Sequence, residues 1–192
     1  MTVVRGRAGT IVALGDSLTS GHRIGIARAY PAVLQALLDG RGYEYSVINA
    51  GVSGDTSAGA ARRLHAALDR DDVRILIVAL GANDGLRGVP VGQLEANLRG
   101  IIEEAARRGI AVVLCAMEAP PIYGWPYTTA FRDVYGQLAQ RFKVPLVPFV
   151  MIRMIGNRDL LLPDALHPNE AGARLIADQI WTYLQPLLRR VA

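Results

Sequence analysis

Apolar positions along the chain follow two alternating patterns. Five short runs are apolar on both faces: Thr10 to Leu14, Tyr45 to Asn49, Ile75 to Leu80, Ala111 to Ala116 and, shorter, Leu146 to Phe149. Runs of this kind predict strands covered on both sides. Between them, apolar residues recur every three or four positions, the spacing of a helix with one buried stripe. Pro31 fits a first helical position ahead of Val33, Leu34, Leu37 and Leu38, and Gly40 or Gly42 ends that helix. Asp55 or Thr56 can cap the next, which carries Ala60, Ala61, Leu64, Ala67 and Leu68. A third stripe is Leu94, Leu98, Ile101, Ile102 and Ala105, stopping at Gly109. A fourth runs through Phe131, Val134, Tyr135, Leu138 and Phe142, and the last, from about Pro168, through Leu175, Ile176, Ile180, Leu184 and Leu187.

Strand and helix repeated in this way predict parallel strands joined by right-handed crossovers. The expectation is one domain over residues 1–192, an α/β fold built as a three-layer α/β/α sandwich on a five-stranded parallel sheet. Such sheets bind ligands beyond the carboxyl ends of their strands. Residues with chemistry should therefore follow strands one, two, three and five.

Composition narrows the function classes. Hydrophobic residues make up 51% of the chain and charged residues 20%. No apolar run approaches the roughly 20 residues of a membrane span, so stable membrane insertion is not expected. The net charge of +4 is spread thinly, in pairs at most (Arg62-Arg63, Arg107-Arg108, Arg189-Arg190), which argues against a nucleic-acid surface. Lys143 is the only lysine, which disfavours Schiff-base or Ser-Lys chemistry. The single cysteine, Cys115, lies inside a strand run, so no internal disulfide forms and packing is its expected role. The first apolar stretch runs straight into a Gly-Asp-Ser turn, so Met1 to Gly9 is not expected to act as an export signal. The chain as it stands is expected in the cytoplasm; a leader removed from a longer precursor would make it periplasmic or secreted.

Polar residues gather at the strand ends. Gly15-Asp16-Ser17-Leu18 follows strand one, Asn49-Ala50-Gly51-Val52-Ser53-Gly54-Asp55-Thr56 follows strand two, and Gly81-Ala82-Asn83-Asp84-Gly85 follows strand three. Asp164-Ala165-Leu166-His167-Pro168 precedes the last helix. Of the three histidines, His65 sits mid-helix and His22 lies five residues past Ser17 as a rival base. His167 has Asp164 three residues upstream, where a tight turn can bring the carboxylate to Nδ1 and leave Nε2 to accept a hydroxyl proton. Ser17 stands at a strand-to-helix turn, although no G-x-S-x-G elbow occurs. Asn83, the Gly51 N–H and the Ser17 N–H are candidate donors to an oxyanion. Each feature has a plain structural alternative as a turn or cap.

Together the four segments resemble the sequence blocks of the SGNH hydrolase, or GDSL esterase/lipase, family: GDSL, a glycine after strand two, G-x-N-D and D-x-x-H. "NAGVSGDTS", "GANDGLRG", "VPLVPF" and "LHPN" are similar to the bacterial thioesterase I/protease I/lysophospholipase group and related arylesterases. The resemblance spans roughly Ile11 to Leu188. It implies a flavodoxin-like fold, Ser17 as nucleophile, His167 as base, Asp164 as its orienting partner, and Ser17, Gly51 and Asn83 as the oxyanion hole. The "MEAPPIYGWPY" loop from Met117 matches less well.

The expected activity is hydrolysis of carboxylic esters through an acyl-enzyme, on short to medium acyl or aryl esters, with thioesters and lysophospholipids as further candidates. Asp16, Leu86, Ile122 and Tyr123 are the candidate substrate-contacting residues, and the apolar character of Pro120, Pro121, Trp125, Met151, Ile152 and Met154 favours an acyl or aryl group over a sugar. No cofactor is expected, and no Cys/His cluster suggests a metal. The expected partner is a small-molecule ester, and the oligomeric state is left open. Carbohydrate acetylesterase and acyltransferase activity stay open within the same family. A non-catalytic flavodoxin-like binder is disfavoured, because neither G-x-G-x-x-G nor a P-loop occurs.

Overall fold

A computed structural model describes residues 9–188. The basic segment ahead of residue 9 and the Arg189-Arg190 pair lie outside the described residues. Five parallel strands, β1 (Gly9–Gly15), β2 (Tyr45–Gly51), β3 (Val73–Ala79), β4 (Ala111–Cys115) and β5 (Leu146–Val147), form one sheet in the order β2-β1-β3-β4-β5. β1 is buried along its whole length, as its two-sided apolar run requires. β5 is shorter than the apolar run suggests, since Pro148 follows it and has no N–H to continue the ladder.

The helices are α1 (Ser17–Ser20), α2 (Tyr30–Gly40), α3 (Ser57–Ala67), α4 (Ala82–Leu86), α5 (Val91–Arg107), α6 (Trp125–Phe142) and α7 (Glu170–Leu184). α2 packs against α7, while α3 packs against α5 and α5 against α6, giving a layer on each side of the sheet. Of these helices in the described residues, α2, α3, α5, α6 and α7 answer the stripes in the sequence, whereas α1 and α4, of four and five residues, do not, because one helical turn carries no readable stripe. Thr56 rather than Asp55 caps α3, accepting from Gly59 N, and Asn169 caps α7, accepting from Gly172 N.

The order 2-1-3-4-5 has its topological switch point between β1 and β3, where successive connections leave in opposite directions and open a crevice at the carboxyl edge. Ser17 and Asn83 begin the segments that flank it. Cys115 is fully buried, and that burial pushes its thiol up to about 12, which suits packing and leaves no reactive thiolate.

Candidate active site

The β1-α1 turn is set by Asp16. Its carboxylate caps α1 by accepting from Leu18 N at 3.0 Å, which turns the side chain inward and leaves the adjacent Ser17 at the head of the helix, half-buried, facing the crevice. The structure corrects the expectation that Asp16 meets substrate: the residue has no exposed surface. Removal from water raises its carboxyl to about 6, against the Leu18 N–H and the nearby His167, both of which favour the charged form.

Opposite Ser17, the segment between β5 and α7 folds into a tight turn. Leu162 N donates to His167 O at 2.7 Å, Ala165 N donates to Leu162 O at 2.9 Å, and Ala165 takes left-handed backbone. Asp164 Oδ1 accepts from the backbone N–H of both Leu166 (3.0 Å) and His167 (2.9 Å), while Oδ2 lies 3.0 Å from His167 Nδ1. The two backbone donors, then the imidazole, hold the Asp164 carboxyl well below the usual range. With the proton on Nδ1 facing this carboxylate, Nε2 is the free acceptor, and it lies 3.1 Å from Ser17 Oγ. Ser17, His167 and Asp164 thus stand in one hydrogen-bonded line, across 150 positions of sequence. His22 makes no hydrogen bond to the Ser17 hydroxyl; its ring lies against that of His167.

Asn83 comes from the start of α4. Gly81 adopts φ 119° ahead of it, and a Cβ there would lie 2.0 Å from the Tyr135 hydroxyl, which donates to Leu80 O, so only glycine permits the turn. One Asn83 amide proton goes to Asp55 O at 2.9 Å. The other has only a long approach of 3.4 Å to Asp16 Oδ2 and remains the weaker-held donor.

The expected glycine donor is also corrected. Gly51 N donates to Asn49 Oδ1 at 2.9 Å, and a Cβ at Gly51 would lie 2.3 Å from Ser20 N. Gly51 therefore packs β2 against α1 and presents no N–H to the crevice. Three residues on, Gly54 lines the cavity, and its N–H finds no acceptor among the described residues. Arg63 fixes this loop. It donates to Asp55 Oδ2 (2.7 Å), Ala50 O (2.6 Å) and Gly15 O (2.9 Å), pinning the ends of β1 and β2 and the loop that carries Gly54. A single arginine on a helix gives no sequence signal for such a clamp.

The cavity has a volume of roughly 230 Å³. Its polar rim is Ser17, His22, Ser53, Asn83 and His167, and its apolar wall is Leu18, Ala82, Leu86, Met151 and Leu166. Ile122 (72% exposed) and Tyr123 (44% exposed) stand outside it, with the Tyr123 hydroxyl donating to Leu86 O at 3.0 Å. Met154 is buried in the core and lines no part of the cavity.

Comparison with known proteins matches residues 13–175 to the model of the GDSL-like Lipase/Acylhydrolase family. Esterase TesA of Pseudomonas aeruginosa is 38% identical over 181 residues, 94% of this chain and 90% of that protein. Thioesterase 1/protease 1/lysophospholipase L1 of Escherichia coli is 39% identical over 181 residues, 94% of this chain and 86% of that protein. Among solved structures, the psychrotrophic esterase EstA from Pseudoalteromonas sp. superimposes with a TM-score of 0.86 at 32% identity, covering 93% of this chain and 97% of EstA. The family match over residues 13–175, together with relatives 38% and 39% identical across 94% of the chain, shows that the protein belongs to the GDSL-like lipase/acylhydrolase family of serine ester hydrolases.

Proposed function

We propose that the protein hydrolyses carboxylic esters of short to medium acyl chains through an acyl-enzyme on Ser17. The observation that carries this reading is the 3.1 Å approach of His167 Nε2 to Ser17 Oγ beside a mostly apolar cavity. His167 takes the hydroxyl proton as Ser17 Oγ attacks the acyl carbon, then returns it to the leaving alcohol. Asp164 keeps the ring in the required tautomer and favours the imidazolium. The tetrahedral oxyanion is met by the Ser17 N–H, the Gly54 N–H and the less engaged Asn83 amide proton. Water, deprotonated by the same imidazole, releases the acid.

The cavity is smaller than the roughly 300–1,000 Å³ that encloses a drug-sized ligand. It therefore takes the acyl group, while the alcohol or thiol portion leans on the exposed Ile122 and Tyr123. The apolar wall disfavours a sugar. The test is a panel of p-nitrophenyl esters of increasing chain length, run on the wild type and Ser17→Ala. The expected result is turnover that peaks within the short to medium chains and is lost with Ser17; equal turnover by Ser17→Ala overturns the proposal.

A further inference from the structure

His22 enters the site by a route that sequence order conceals. It lies two residues beyond α1, between Gly21 (φ 75°) and Arg23 (φ 60°), both in left-handed backbone. This turn folds its ring back over His167, with centroids 4.4 Å apart and planes tilted by 38°. One ring nitrogen from each histidine and one carboxylate oxygen of Asp164 all lie within 4.8 Å of one another. Both histidines line the cavity, so the group is open to solvent.

We propose that His22, Asp164 and His167 form a binding site for a transition-metal dication of the Zn²⁺ type, and that its occupancy inhibits hydrolysis. Two imidazoles and a carboxylate match the donor set of open zinc sites, with a fourth position left to water. Nitrogen donors select Zn²⁺, Cu²⁺ or Ni²⁺ over Mg²⁺ and Ca²⁺. Ligand atoms at about 2.1 Å on a tetrahedral ion sit about 3.4 Å apart, so the widest pair must close by up to about 1.4 Å. The His22 ring is the part that moves: its backbone is fixed by His22 N donating to Ser17 O and by Ile24 N and Gly25 N donating to Gly21 O, whereas its ring makes no hydrogen bond among the described residues. One charge opposes the ion: Arg23 Nη1 lies 4.0 Å from Asp164 Oδ2, on a side chain 66% exposed that can swing into solvent.

A metal drawing on His167 removes the base from Ser17. Inhibition rests on the reading of His167 given above; binding does not. The experiment treats the full chain with chelator, then titrates Zn²⁺, measuring bound metal by calorimetry and rate on p-nitrophenyl butyrate. The wild type and Ser17→Ala should bind one Zn²⁺ per chain alike, and the wild type should lose activity over the same concentrations, with Mg²⁺ inert. Loss of a partner merely supporting a metal ligand weakens binding about 10- to 100-fold. His22→Phe and the polar variant His22→Gln should therefore raise the half-inhibiting Zn²⁺ concentration at least about tenfold, each against its own metal-free rate. Arg23→Gln should lower it. Unchanged Zn²⁺ binding and inhibition in both His22 variants overturns the site. Binding that depends on His22 but leaves the rate untouched upholds the site and overturns the role of His167 as base.

Discussion

Replacing Asp16 with asparagine isolates the energetic consequence of burying a carboxylate beneath the nucleophile. The wild-type carboxyl is moved from 3.8 to about 6, chiefly by burial. A difference of about 2 pKa units, at about 1.4 kcal/mol each, means the ionised carboxylate weakens the fold by about 3 kcal/mol at neutral pH. The folded chain keeps this proton over the range in which the unfolded chain has released it. Its contribution to stability is therefore fully present below the unfolded value and is lost as pH rises through the window to about 6. An asparagine side chain would keep the acceptor for Leu18 N and could not ionise. Asp16→Asn should accordingly be the more stable protein at about pH 7.5, and its advantage should shrink by about 2 kcal/mol on moving to about pH 4.5. Urea midpoints of both proteins, taken across that range and converted with a common slope, give the difference free of other titrating groups. An advantage that does not change with pH refutes the burial argument.

Four further outcomes are expected. Ser17→Ala should lower kcat by about 10⁴ or more on any ester while leaving the thermal midpoint near wild type, checked by steady-state kinetics and circular dichroism. Asn83→Ala should lower kcat by about 10² to 10³ with KM little changed, the effect of losing one oxyanion donor, and full kcat would exclude that role. Arg63→Met leaves Ala50 O and Gly15 O without their side-chain donor and should destabilise the fold by about 1–3 kcal/mol in urea, with kcat falling more than KM rises because the Gly54 loop loosens. Gly51→Ala drives a Cβ into the Ser20 backbone and should lower the thermal midpoint by several degrees, about 1–3 kcal/mol of overpacking; a midpoint equal to wild type would refute the packing role.

The sheet and its large helices were legible because their signals are local. A short β-branched run apolar on both faces and closed by turn residues reads as a covered strand, and the stripe of Leu94, Leu98, Ile101 and Ala105 as one buried helical face. The Asp164 and His167 pairing was legible because a spacing of three lets one tight turn bring carboxylate and ring together. Ser17 could be placed at the site because the carboxyl end of a strand is a position in sequence as well as in space.

Tertiary structure alone decided which way individual groups point. Gly51 and Gly54 read alike as turn glycines, and the N–H of Gly51 is occupied only because Asn49 folds its amide back, with Nδ2 held on Thr19 O at 2.6 Å. Asp16 shares its tetrapeptide with Ser17 yet turns into the core, because the first turn of α1 needs an acceptor there. His22 and His167 are far apart in the chain and meet only when the loop after β1 and the turn before α7 are stacked at one sheet edge. Periodicity fixes what a segment must bury; the direction of a single donor or ring depends on neighbours that the chain supplies from elsewhere, and no local pattern carries that information.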